Sequence, residues 1–198
     1  MKFYLKYIVL ALIVVSCASY KPQYKNEVEK ELVFPNKEID KTFYLIGDAG
    51  KSPQDGMSLG LTVFNDYISN KSTKKDYAIF LGDNIYPAGL PNKESEKRKA
   101  AENSLNAQIK ALKNFEGETV FIPGNHDWYA DGLKGLKRQE KYIEDALGKN
   151  TFQPENGCPL ESIDVSETIQ LIIIDTQWYL EDWNNNPTIN DECEIKTR

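Results

Sequence analysis

From residue 41 onward the chain alternates between two hydrophobic rhythms. Four short apolar runs, 42–46, 77–81, 119–122 and 169–174, are nearly continuous and read as strands buried on both faces. Between them the apolar residues fall at helical spacing. Leu59, Leu61, Phe64 and Ile68 form a mixed face in the first interval, and Leu105, Ile109, Leu112 and Phe115 repeat in the second. Leu133, Leu136, Tyr142, Ile143 and Leu147 do so more loosely in the third. Strand and helix in regular succession predict right-handed βαβ units, hence an α/β fold around a largely parallel sheet. Residues 161–166 can add an antiparallel strand and make the sheet mixed. The first three strands each run into a glycine and a polar residue, Gly47-Asp48, Gly82-Asp83 and Gly124-Asn125, and the fourth ends at Asp175. In a parallel sheet these positions gather at the carboxyl edge, where open α/β folds hold their ligands.

The N-terminal part has a different character. Lys2 and Lys6 flank the start of an apolar stretch, 7–15, that is too short for a stable membrane-spanning helix. It ends in Val14-Val15-Ser16-Cys17, which is similar to a bacterial lipobox, where the cysteine is lipidated and becomes the new N-terminus. The expectation is a lipoprotein-type signal peptide over 1–16, lipidation at Cys17, and an exported lipoprotein anchored to a membrane of the bacterial cell envelope. An ordinary signal peptide or signal anchor with an incidental cysteine is the alternative. Residues 17–40 are polar, carry Pro22 and Pro35, and read as a tether with room for a short edge strand at 32–34. The domain proper then occupies 41–198.

With 40% hydrophobic and 27% charged residues the chain is globular rather than disordered. Its net charge of −6 argues against nucleic-acid binding through a basic face, and a phosphate ligand would need a cation at its site. Export would place Cys158 and Cys193 in an oxidising compartment. There they either pair, closing a loop across the last strand, or stay as two buried or free thiols; spacing alone does not decide.

Asp48 and Asp83 would stand side by side at strand ends, where two carboxylates repel and one would take up a proton. A bound cation removes the conflict, and hard oxygen donors suit Mg, Mn, Zn or Fe. Tyr86 follows Asp83 within a turn stiffened by Pro87; as a phenolate it favours a strongly Lewis-acidic ion such as ferric iron. Asn125 offers a neutral amide oxygen, and His126, the sole histidine, comes next, followed by Asp127. Taken singly each has a plainer reading: an aspartate as a helix cap or turn residue, Asn125 as an Asx-turn, Tyr86 and His126 as packed rings. Their joint placement at three strand ends argues for a site. Gly50-Lys51-Ser52 hints at a phosphate-binding loop, but that motif needs a glycine at position 45, which is leucine. Trp178 and Trp183 could wall a substrate cleft, although packing beneath a loop is the commoner fate of such rings.

Gly47-Asp48-Ala49-Gly50, Gly82-Asp83-Asn84-Ile85-Tyr86 and Gly124-Asn125-His126-Asp127 resemble, in order, the first three of five signature blocks of purple acid phosphatases. Those enzymes are a branch of the calcineurin-like metallophosphoesterases, and the resemblance runs from about residue 41 to the C-terminus. It implies an αββα sandwich of which this chain supplies the first half. By resemblance, Asp48 and Tyr86 bind a first ion, ferric iron in the family. Asp83 bridges to a second ion, Fe, Zn or Mn, which Asn125 also binds. His126 contacts the phosphate or protonates the leaving oxygen. The implied reaction is hydrolysis of a phosphate ester by a metal-bound water or hydroxide at a two-metal site. The family's two remaining blocks supply three further ligands through histidines, and this sequence has no histidine besides His126. The second ion is therefore expected to be poorly held and the domain to be truncated, with an exposed apolar sheet face. The C-terminal half would then be absent or supplied elsewhere. The non-enzymatic alternative is a lipoprotein remnant or binding module that retains the fold.

Overall fold

The runs at 77–80 and 119–121 become strands whose two faces both find cover. Those at 42–46 and 169–174, expected to be buried on both faces, are only partly covered. β1 (Phe43–Ile46), β2 (Tyr77–Phe80) and β3 (Glu118–Phe121) pair in parallel in the order β1-β2-β3, with Phe43 beside Tyr77 and Tyr77 beside Glu118. Alternate residues then point to opposite sides. Ala78, Phe80 and Phe121 join the core beneath the helices, whereas Ile79 and Val120 belong to a second, smaller cluster. Phe80 and Phe121 stack with centroids 4.2 Å apart, an arrangement that contributes about 0.5–1.5 kcal/mol beyond burial. The computed structural model describes residues 38–181 and 193–195. The signal segment 1–16, Cys17, the tether as far as residue 37 and Trp183 lie outside the described residues.

α1 (Leu59–Lys71) connects β1 to β2, and α2 (Arg98–Ala111) connects β2 to β3. Ser58 caps α1, its Oγ accepting the Leu61 N–H at 3.3 Å. α1 buries Leu61 and Ile68, but Leu59 is 81% exposed. Residues two apart on a helix lie on nearly opposite sides, so Leu59 and Leu61 cannot share a face. α2 turns Ala101, Ser104, Leu105, Gln108 and Ala111 inward, a mostly small set that permits close approach. After β3 come the single turn α3 (Asn125–Trp128) and α4 (Leu133–Leu147), which buries Leu136, Gln139 and Ile143.

The fourth strand departs from the expectation of one continuous sheet. β5 (Ile169–Ile174) pairs antiparallel with β4 (Leu160–Ser166), and the two form a separate sheet. The place beside β3 is taken by a single bridge from Phe121 to Phe152. There Phe121 N–H donates to the Thr151 carbonyl at 2.7 Å and Gln153 N–H to the Phe121 carbonyl at 2.8 Å. Pro154 follows, and with no N–H it cannot prolong the pairing. The hairpin instead packs on the sheet's other side, where Ile173, helped by Ile163 and Leu171, meets Ile79 and Val120. That face is thus partly covered rather than bare. Apolar exposure remains at Leu45, Leu81, Ile172 and Ile174, each about half exposed. A disulfide joins Cys158 to Cys193, Cα atoms 5.5 Å apart, and ties the start of β4 to a segment whose Ile195 packs on the main core. Among the described residues no helix is long and apolar enough to cross a membrane.

Candidate functional site

The first two strands stop at residues that must turn at once. Asp48 and Asp83 both adopt left-handed backbone, with φ of 54° and 52°. Such values are uncommon outside glycine and persist where the surroundings hold them. Asp48 is held by its N–H, which donates to the Gly82 carbonyl at 3.3 Å. The loop after β3 then comes very close: a Cβ on Gly124 would lie 2.3 Å from both the N and Oδ1 atoms of Asp83. Only glycine lets these two loops touch.

The result is three oxygens that meet. Tyr86 Oη donates to Asp83 Oδ2 at 2.7 Å and also contacts Asp48 Oδ1. Hydrogen bonds to Asp48 first and Asp83 second hold the Tyr86 phenol well above its usual range, since a phenolate would face two negative charges. Among the described residues no lysine or arginine forms an ion pair with either carboxylate. A cation among these oxygens would remove the repulsion and reverse the preference for a protonated tyrosine. Two carboxylates and a phenol therefore fit one hard ion.

α3 brings the remaining sequence-predicted residues to the same edge. His126 N–H donates to Asp83 Oδ1 at 3.0 Å. The His126 ring gives its Nδ1 proton to the Pro87 carbonyl at 2.6 Å, which leaves Nε2 for a ligand. Its ring lies against both Tyr86 and Tyr129, with centroids 4.5 and 5.0 Å away. Asn125 Nδ2 donates to Tyr129 Oη at 2.6 Å, so the amide oxygen is the atom left for a metal. For a second ion the described residues offer Asp83 and Asn125, and no group of three or more His, Cys, Asp and Glu gathers among them. Water can complete the shell of a hard ion, but Asp83 is already offered to the first ion and Asn125 is neutral, so this second position is less well furnished than the first. A cavity of about 400 Å³ lies here, with Asp48, Asp83, Asn125 and Asp175 in its lining.

Asp175 reaches this cavity from the end of the separate hairpin and not, as the strand pattern predicted, from the parallel sheet, and its carboxylate is buried and already engaged. Oδ2 accepts Trp128 Nε1–H at 2.8 Å, and Oδ1 accepts the Gln177 and Trp178 N–H groups at 3.0 and 3.2 Å. Burial raises its pKa to about 6 despite these bonds. It braces the cavity wall. Trp178 is fully buried, the packing role that its ring favours.

The residue that sequence reasoning valued least is Asp127. It is fully buried, and its Oδ2 accepts Gly124 N–H at 2.8 Å, Asn84 N–H at 3.1 Å and Asn84 Nδ2 at 3.2 Å. Oδ1 accepts Ile85 N–H at 3.2 Å and Gln139 Nε2 at 3.0 Å. One carboxylate thus clamps the loop carrying Asp83 to the loop carrying His126. Burial pushes its pKa up to about 6, against the pull of those donors. Gln108 extends the clamp, donating to the Asn84 carbonyl at 2.7 Å. Its only mark in the sequence was an acidic residue after His126; Gln108 and Gln139 had none.

Comparison with known proteins adds one finding. The family model described as calcineurin-like phosphoesterase matches residues 41–197. No curated protein and no solved structure matches the chain. The matched span takes in β1, β2 and β3 with Asp48, Asp83, Tyr86, Asn125 and His126, and the chain belongs to the calcineurin-like phosphoesterase family, whose members bind divalent metals.

Proposed function

We propose that this domain is a metal-dependent phosphate-ester hydrolase with a site of the purple acid phosphatase type. The observation that carries the reading is the Tyr86 hydroxyl meeting the carboxylates of Asp48 and Asp83. In it, Asp48, Asp83 and Tyr86 would hold a first ion, iron, and Asp83 and Asn125 would supply only part of the donor set of a second, Fe, Zn or Mn. When bound, the ions supply Lewis acidity toward the phosphoryl oxygens and a nucleophile from water near neutral pH. The His126 main-chain N–H fixes the rotation of the Asp83 carboxylate, so that Oδ2 stays on the Tyr86 side. The His126 ring, oriented by its bond to the Pro87 carbonyl, contacts the phosphate and can give a proton to the departing oxygen from Nε2.

Elemental analysis and hydrolysis of a generic aryl phosphate test this reading. One firmly bound ion per chain, a second held only weakly, and turnover when both are present are expected, with turnover lost and metal content lowered in Asp83→Ala and metal content reduced in Tyr86→Phe. Unchanged turnover in Asp83→Ala would refute it. A second reading is a binding module that keeps the fold without catalysis. It is favoured by the short donor set for a second ion, Asp83 and Asn125 among the described residues, and it expects weak metal retention and no turnover. Donors supplied by another polypeptide would complete that position, and recovery of metal content on co-expression would show it. For location we propose export and anchoring through a lipid on Cys17; the Cys158–Cys193 disulfide supports an oxidising compartment. Labelled fatty acid should enter the wild-type chain and not Cys17→Ser.

A further inference from the structure

A second cavity, of about 530 Å³, lies beside Tyr86 and within the usual size range of small-molecule sites. We propose that it receives the organic part of the phosphate ester and that this part is aromatic. The inference rests on the phosphoesterase reading and names the substrate class of that same site. Two tyrosines connect the cavity to the phosphate position. Tyr86 lines it and carries the hydroxyl that meets Asp48 and Asp83. Tyr129 lines it too, accepts the Asn125 amide proton on its Oη, and packs against the His126 ring. A phosphoryl group at Asp48, Asp83 and His126 therefore has its ester substituent beside this cavity.

The lining selects the substituent. Tyr86, Tyr129, Pro87 and Pro91 offer flat apolar surfaces, and α2 contributes only the methyl groups of Ala100 and Ala101, which leaves a slot. The charged lining residues, Lys97 and Asp131, are solvent-exposed. Asn92 and Ser95 add polar groups to the lining, while its flat walls are those of the two tyrosines and two prolines. An aryl ring gains both burial and stacking. Hydrolysis joins a water oxygen to phosphorus and breaks the bond from phosphorus to the aryl oxygen. That oxygen leaves with a proton from His126 Nε2, and the proton lost by water returns to His126 through solvent.

Leaving-group chemistry would obscure a rate comparison, so the test is binding of non-hydrolysable phosphonates to the metal-loaded protein. Stacking at the tyrosines should make naphthylmethylphosphonate bind about tenfold more tightly than methylphosphonate. Ala100→Trp, at an exposed helix position facing the slot, should abolish that advantage and leave methylphosphonate affinity unchanged. Asn92→Trp, on a loop lining the same cavity, serves if the first variant does not fold. Equal affinities in the wild type, or an advantage that survives filling the slot, would overturn the aromatic subsite and leave the phosphoesterase reading standing. Failure of methylphosphonate and inorganic phosphate to bind, with no turnover of any phosphate ester, would remove that reading and this inference together.

Discussion

Replacing Asp127 with asparagine exchanges one oxygen for an NH2 group at nearly constant volume, so its effect reports hydrogen bonding rather than packing. Three donors face Oδ2 and two face Oδ1, which directs the new NH2 to the Oδ1 side. Gln139 can turn its amide to receive it, because its own Oε1 has no partner in the native arrangement. Ile85 N–H then loses its acceptor. A buried donor left alone costs about 1–3 kcal/mol, and the three bonds kept on the other oxygen fall from charge-assisted to neutral strength. Relief of the carboxylate's desolvation, the first cause of its raised pKa, offsets part of this. The net expectation is a loss of about 2 kcal/mol. Asp127→Ala strands four donors, since Asn84 Nδ2 keeps the Ile122 carbonyl at 2.8 Å, and should lose about 5 kcal/mol or more, a large share of a typical domain's 5–15 kcal/mol. Urea unfolding followed by tryptophan fluorescence measures both variants, with Trp128 buried next in sequence as a reporter. Equal losses for the two, or a loss below about 0.5 kcal/mol for asparagine, would show that the clamp does not depend on the carboxylate.

Three further outcomes are expected. Gly124→Ala drives a methyl group into Asp83, 2.3 Å from its N and Oδ1; overpacking of this kind costs about 1–3 kcal/mol, and metal content should fall with it. Glu140, partly buried on α4, accepts Asn156 N–H at 3.0 and 3.1 Å, yet desolvation first, and then Glu144 and Glu155, push its pKa from 4.5 up to about 7. A carboxyl raised by folding resists ionisation, so its contribution is fully present below pH 4.5 and is lost as pH rises to about 7. Urea midpoints across that interval should fall in the wild type and fall less in Glu140→Gln; parallel slopes would exclude Glu140 as the cause. Cys158→Ser opens a loop of sequence separation 35, which chain entropy values at about 4 kcal/mol, and calorimetry should register a corresponding drop in Tm.

Much of the frame was legible before any coordinates. The continuous runs at 77–81 and 119–122 could be satisfied only by burial on two faces, and the helical intervals between them forced parallel crossovers. Glycine followed by a polar residue at three strand ends then placed Asp48, Asp83 and Asn125 on one edge, because parallel strands end together. Leu59 stands outside the buried face of its helix because it lies two residues, about 200° of helical turn, from the buried Leu61. The run at 169–174 lies outside the parallel sheet for a different reason. An apolar run states that a strand is buried, but not against what, and here residues 151–153 already occupied the edge of β3.

The amino-acid sequence by itself determined the alternation of strands and helices, the sites of the sharp turns, and the chemical kinds gathered at the carboxyl edge. These follow from local backbone preference and from periodicity, both of which act over a few residues. Only the tertiary structure decided which of those groups remain available. It engaged the carboxylate of Asp175 with Trp128 and left those of Asp48 and Asp83 facing one phenol. It also made Asp127 the clamp between two loops 43 residues apart in sequence. Whether a carboxylate is a ligand, a brace or a clamp depends on the donors that long-range packing brings to it, and those come from residues far away along the chain.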